Sequence, residues 1–333
     1  MNRPRTVFIT GAAGFMGRAV GERLRSEGWT VRGVDQNADE STGIIAGDIG
    51  TAGPWQDHVQ GADLVVHTAA IVSNAAAFDE GWRVNVGGTR NVIDAARDAG
   101  VARLLHVSST AVYSHHRPAA VTERHPVRPS GEVYGETKIA AEQTVWQAHA
   151  AGEITATVIR PSDVYGPGSR PWTILPVQML SAGQVVLPAR GHGTFNPIYI
   201  DDLVDGLVVA AQHEAAAGQV FNLAGSRSCE TREFFGHYCR MLGIDGPRVA
   251  PTAVAVAIAQ VVGTTLRALG RPSEANAATM HMLASTGGVS IDKAEAVLGW
   301  RPQVGLVEGM DRTEIWLRAE GLLPGEAALL RPS

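Results

Sequence analysis

The segment T-G-A-A-G-F-M-G, Thr10 to Gly17, constrains the fold of this chain more than any other. It follows a short β-branched run, TVFIT (6 to 10), and leads at once into a stretch of helical periodicity, Phe15 to Glu27. In that position Gly11 admits a tight turn and Gly14 lets the backbone approach a pyrophosphate. Gly17 permits close packing of helix on strand, with the helix N-terminus facing the negative charge. The alternation then repeats: WTVRGVD (29 to 35), GIIAGD (43 to 48), DLVVHTAA (63 to 70), RLLHVSS (103 to 109) and ITATVIR (154 to 160) read as strands. Asp79 to Ala99 and Tyr134 to Ala150 read as helices. Near-continuous apolar strands separated by helices predict an α/β fold, a doubly wound parallel sheet of Rossmann type, with the ligand beyond the C-terminal strand ends.

After Arg160 the texture changes. PSDVYGPGSRP (161 to 171) and PARGHGTFNP (188 to 197) are rich in proline and glycine and read as loops. The expected division is a nucleotide-binding domain over residues 1–166, with 198–225 packing back onto it. Residues 167–197 and 226–333 then form a smaller, interleaved C-terminal substrate lobe. APTAVAVAIAQVV (250 to 262) is shorter than the roughly 20 apolar residues a membrane span needs. The favoured expectation is a helix buried over an apolar cavity, ahead of one resting on a membrane surface. The first ten residues run into a strand without a secretory leader, so the expected location is cytoplasmic.

Asp35 closes the second predicted strand, where a carboxylate accepts from ribose hydroxyls and repels a 2′-phosphate. Gln36 and Asn37 follow without a compensating arginine, so the expected cofactor is NAD. Asp48 is placed to accept from an adenine amino group or to cap a helix. Tyr134 and Lys138 stand one helical turn apart in Y-G-E-T-K. With five tyrosines in the chain and only two lysines, Lys138 and Lys293, chance would give about 0.03 such pairs. A phenol acting as a base near neutrality needs its pKa depressed by about 3 units, and a neighbouring ammonium supplies part of that. Ser109 or Ser108, at the end of the fifth strand, offers a hydroxyl to a substrate oxygen. A net charge of −5 gives no footprint for nucleic acid. No His, Cys and carboxylate set has metal-ligand spacing, and Cys229 and Cys239 read as small, partly buried side chains.

Together these motifs resemble the extended short-chain dehydrogenase/reductase superfamily. H-T-A-A (67 to 70), W-R-V-N-V-G-G-T (82 to 89), R-P-S-D-V-Y-G-P-G (160 to 168), I-Y-I-D-D-L (198 to 203) and D-K-A-E-A-V-L-G-W-R-P (292 to 302) extend the likeness over nearly the whole chain. The resemblance selects Ser109 over Ser108 and implies a catalytic set of Ser109, Tyr134 and Lys138, with Lys138 holding the nicotinamide ribose. It implies cofactor contacts from Phe15, Met16, Ile49, Thr68, Ala69, Ala70 and Pro161, beside Gly11, Gly14, Gly17, Asp35 and Asp48. Asn85 would support the site structurally. Ser73, Thr110, Asp163 and Tyr165 are the implied substrate contacts, and a homodimer through the helices at 79 to 99 and 134 to 150 is the implied assembly.

Two reactions share this machinery: net oxidation of an alcohol, or internal hydride return as in nucleotide-sugar epimerases and dehydratases. Nucleotide-sugar members carry an Asn where this chain has Asp163, and an Arg before their version of I-Y-I-D-D; here that segment is H-G-T-F-N-P. Arg170, Arg190 and Arg227 are the remaining candidates for a diphosphate. The ending V-E-G-M-D-R-T-E-I-W-L and the apolar 250 to 262 segment look like the 3β-hydroxysteroid dehydrogenase and dihydroflavonol reductase branch. The expected activity is therefore NAD-dependent interconversion of a secondary alcohol and its ketone in a small hydrophobic molecule. A non-catalytic nucleotide sensor on the same fold would have no use for the tyrosine and lysine.

Overall fold

A computed structural model describes residues 5–73, 75–270 and 273–324. Its centre is a seven-stranded sheet in which every pairing is parallel. The strands are β1 (Thr6–Thr10), β2 (Thr30–Asp35), β3 (Ile44–Ala46), β4 (Leu64–His67), β5 (Arg103–Val107), β6 (Thr155–Pro161) and β7 (Val220–Leu223), in the order β7-β6-β5-β4-β1-β2-β3. The order reverses between β1 and β4, so the crevice opens at the C-terminal ends of those two strands.

The helices that position the site are α1 (Phe15–Ser26), α2 (Gly88–Asp98), α3 (Val133–Ala150) and α4 (Ile200–Gln212). Two apolar cores lie on opposite faces of the sheet. Val7, Ile9, Val66 and Leu105 point to one, with α1 and α4; Phe8, Val65, Leu104 and Val158 point to the other, with α2 and α3. Period-two alternation buried on both faces explains why these strands read as continuous apolar runs. The helix expected over 79 to 99 is interrupted: a short helix, Phe78–Trp82, passes through a π turn, Arg83–Gly87, into α2. That turn carries Asn85, and such bulges often mark functional positions.

Beyond β6 the chain returns to the sheet: β7 pairs with β6 and α4 packs beside α1. Asp163–Tyr165 pairs with Pro197–Tyr199, and His116–Val121 pairs with Thr286–Val289. Helices of this region include α5 (Thr231–Leu242), α6 (Thr252–Ala268) and α7 (Ala277–Leu283). The expectation that 250 to 262 is buried is corrected, because α6 presents only Ala255, Ala259 and Gly263 to the interior. Those small residues allow a shallow, close contact and leave the branched side chains outside. Cys229 and Cys239 are free and buried.

Candidate active site

Gly11 has φ +70, a conformation in which any side chain is strained, and a Cβ there would stand 2.9 Å from the Ala69 backbone. Its N–H donates to Val34 O (2.9 Å), tying the turn to β2. A Cβ at Gly17 would strike the Gly11 carbonyl, so only glycine lets α1 start this close to β1. Gly14 is the exposed N-cap of α1, with no side-chain cap and no acid in the first turn. The backbone donors at Phe15, Met16 and Gly17 are therefore left for an anion. Asp35 accepts from Ala13 N and Asn37 N, both at 3.1 Å, and so lies against the same turn. The Thr68 hydroxyl donates to Thr10 O (2.8 Å), which holds Thr68, Ala69 and Ala70 along the crevice. Asp48 accepts from Gly50 N (2.8 Å) and pairs with Arg83 (2.7 Å), while Ile49 is anchored through its carbonyl by Asn91 (2.8 Å). Asp48 thus holds its own turn and is not a helix N-cap, since the next helical turn, Pro54–Val59, has Gly53 at that position. A glycine cradle, an uncapped helix and a ribose-side carboxylate fit a dinucleotide.

The catalytic candidates converge on the C-terminal end of β5. Lys138 is 4% exposed, and its Nζ donates to Val107 O (2.8 Å), the last residue of that strand. Burial pushes its ammonium down to about 8, partly offset by Glu142. The same Nζ lies 6.0 Å from the centre of the Tyr134 ring. Burial raises the Tyr134 pKa, while Ser109, within hydrogen-bonding reach, lowers it. Asn85 fixes this arrangement from the π turn: its side chain accepts from Ile71 N (2.7 Å) and donates to Ile71 O (3.1 Å) and Thr137 Oγ1 (2.9 Å). Thr137 adjoins Lys138, so one amide locks α3 against the loop after β4. Behind the lysine, burial holds His67 at about 3 and His106 well below the usual imidazole range, so both rings are neutral at physiological pH.

The two serines separate by partner. Ser108 donates to Glu142 Oε2 (2.8 Å), and Glu142 is paired with Arg160, whose guanidinium also donates to the Tyr113 hydroxyl (2.6 Å). Tyr113 in turn donates to Asn222 Oδ1 (2.8 Å) on β7. Ser108 therefore belongs to a buried network joining β5, α3, β6 and β7. Ser109 faces the tyrosine.

On the substrate side, Asp163 accepts from Asn196 N (3.1 Å), and burial raises its carboxyl to about 6 against the opposing influence of Arg117. Its charge also reaches Tyr134. Arg117 was not singled out in the sequence; it arrives through the pairing of His116–Val121 with Thr286–Val289, which no local motif announces. Ser73 sits on the loop after β4, where its hydroxyl donates to Glu274 Oε1 (2.5 Å) across the crevice. Pro161 ends β6 opposite Leu223. Tyr165 is a core residue, edge-on to Tyr199 and Phe234 with its hydroxyl toward Leu306 O, and Thr110 is buried at the start of the turn Thr110–Tyr113. Arg170 and Arg190 are exposed, and Arg227 is paired with Glu233.

Fold and site together define a dinucleotide-dependent hydride-transfer protein. Residues 7–224 match the NAD dependent epimerase/dehydratase family, and the chain belongs to it. It is 28% identical to a 4-hydroxy-2-methyl-3-oxo-4-farnesyl-3,4-dihydroquinoline-1-oxide ketoreductase of Stigmatella aurantiaca, over 91% of this chain and 94% of that protein. It is 29% identical to a 3 beta-hydroxysteroid dehydrogenase/Delta 5-->4-isomerase of Mycobacterium tuberculosis, over 75% and 73% respectively. Among solved structures, MoeE5 in complex with UDP-glucuronic acid and NAD is 26% identical with a TM-score of 0.76, covering 95% of this chain and 99% of that one.

Proposed function

We propose that this enzyme interconverts a secondary alcohol and its ketone in a small, largely hydrophobic molecule, steroid-like or similar, with NAD as the hydride carrier. The observation that carries this reading is Asp163. A carboxylate whose charge reaches Tyr134 disfavours a diphosphate there. Likeness to the ketoreductase and the hydroxysteroid dehydrogenase supports the same class.

In this reading Gly11, Gly14 and Gly17 seat the pyrophosphate, Asp35 takes the adenosine ribose, and Lys138 takes the nicotinamide ribose. When bound, the cofactor supplies or accepts the hydride and, oxidised, adds positive charge beside the phenol. Ser109 hydrogen-bonds the substrate oxygen. Tyr134 gives that oxygen a proton during reduction and removes it during oxidation. The raised Tyr134 pKa leaves the phenol protonated at neutral pH, the state required of a donor to a ketone. Lys138, charged below about pH 8, favours the phenolate that remains. We further propose a cytoplasmic homodimer through Phe78–Trp82, α2 and α3, supported by the exposure of Phe78 and Trp82 there.

The relative in complex with UDP-glucuronic acid and NAD favours a second reading, a nucleotide-sugar epimerase or dehydratase. Incubation with NAD or NADH and a panel of sterols, other apolar alcohols and ketones, and nucleotide sugars separates the two. Net NADH change with an apolar substrate is expected; sugar interconversion without net NADH would replace the proposal.

A further inference from the structure

The α6 helix is built inside out. Ala255, Ala259 and Gly263, spaced one turn apart, face the lobe, and a Cβ on Gly263 would strike the Ala275 carbonyl. Val254, Ile258, Val261, Val262 and Leu269 are all exposed, Val261 and Leu269 at 68% and 70%. At 3.6 residues per turn these five positions fall on one face. An amphipathic helix that packs on its own protein buries such residues; this one offers them outward. Among soluble proteins a contiguous apolar surface of this kind marks an interaction site.

Charge at the N-terminal end of α6 identifies the partner. A hollow of about 550 Å³ is lined by Arg190, Arg232, Arg240 and Asp245, with the exposed Ile244 and Val249 in its wall; Arg232 is paired with Glu230 and Arg240 with Asp311 and Glu314, whereas the exposed Arg190 and Arg248 make no ion pair among the described residues. Arg190 N donates to Ala250 O (2.9 Å) and Ala189 N to Thr252 Oγ1 (3.2 Å), so the segment carrying the arginine is stitched to the start of the helix. Residues 246 to 273 contain arginines and no acid. Branched apolar side chains on one face, beside the unpaired guanidinium groups of Arg190 and Arg248, match the acyl boundary and the phosphates of an anionic bilayer. No helix among the described residues is long and apolar enough to cross a membrane.

We propose that α6 and the adjoining arginine hollow dock the enzyme on the surface of an anionic phospholipid bilayer, lying in the interface without spanning it. Glu274 accepts from the Ser73 hydroxyl of the loop after β4. Delivery of an apolar substrate from the lipid phase rests on the function proposed above; the docking itself does not.

The test is flotation of the full-length protein with vesicles of phosphatidylcholine alone, and with about 30 mol% phosphatidylglycerol added. Recovery with the anionic vesicles should be at least about ten-fold higher and fall with added salt. Val261→Asp should abolish it while leaving circular dichroism, melting temperature and NAD binding unchanged. Arg190→Glu should weaken it with the same controls intact. Two results would overturn the proposal: wild-type protein that stays in the aqueous phase with both vesicles, or Val261→Asp that converts a dimer to a monomer without altering vesicle recovery. The latter would assign the face to a second copy of the chain. Because flotation needs no substrate, its failure is distinct from failure of the proposed reaction.

Discussion

Replacing Lys138 by methionine should stabilise the ligand-free protein at neutral pH and leave it without activity. A lysine in the unfolded chain loses its proton near 10.5, whereas burial pushes Lys138 down to about 8. At pH 7 the fold must hold this group charged in a poorly solvated site, and the separation of the two values corresponds to about 3 kcal/mol. The cost is complete below pH 8 and fades between 8 and 10.5, where the unfolded chain binds the extra proton and stability rises with pH. Methionine removes the charge but leaves Val107 O without its donor, which returns about 1–2 kcal/mol of destabilisation. The net gain at pH 7 is therefore about 1–2 kcal/mol. From pH 7 to pH 9 the wild type recovers about 1 kcal/mol that the variant has no means to recover. Thermal melts of the two apo proteins at both pH values should show the variant's advantage shrinking by about 2–3 °C. An advantage that stays constant with pH, or a variant less stable at pH 7, would refute the reasoning.

Three other perturbations probe separate parts of the site. Tyr134→Phe should lower turnover by about 10²–10⁴-fold with NAD affinity nearly unchanged, read by steady-state kinetics and calorimetry. Asp35→Ala should relax the preference against NADP by about ten-fold in kcat/KM, since the like-charge repulsion of the 2′-phosphate disappears; an unchanged ratio would remove Asp35 from cofactor choice. Glu142→Gln strands the Arg160 guanidinium in the interior and should cost about 3 kcal/mol in denaturant-induced unfolding, far more than a surface carboxylate.

Local physics made much of this legible in the sequence. The glycine turn, Asp35 and the Tyr134–Lys138 spacing depend on neighbours within one β-α unit or one helical turn, so they could be read locally. Strand ends were read slightly long: GIIAGD yields only Ile44–Ala46, with Gly47 N making a last bond to Asp35 O and Asp48 already engaged in the following turn. Long-range partners were not legible. The commitment of Ser108 to Glu142 and Arg160 requires β5, α3 and β6 to be assembled first, and Arg117 enters the site through a pairing with residues 286–289. Tyr165 lies in a motif-like segment, yet the alternation of its short strand turns it into the aromatic core. The apolar run at 250 to 262 misled for a different reason: hydropathy counts its valines, whereas burial follows its alanines and Gly263.

The central claim is that hydride leaves the substrate for good. An apolar secondary alcohol found in the substrate panel, deuterated at its carbinol carbon, should transfer the label to NAD, and mass spectrometry of the released cofactor should find deuterated NADH in step with ketone. Label retained in a sugar product, with the cofactor returned as unlabelled NAD, would contradict the account.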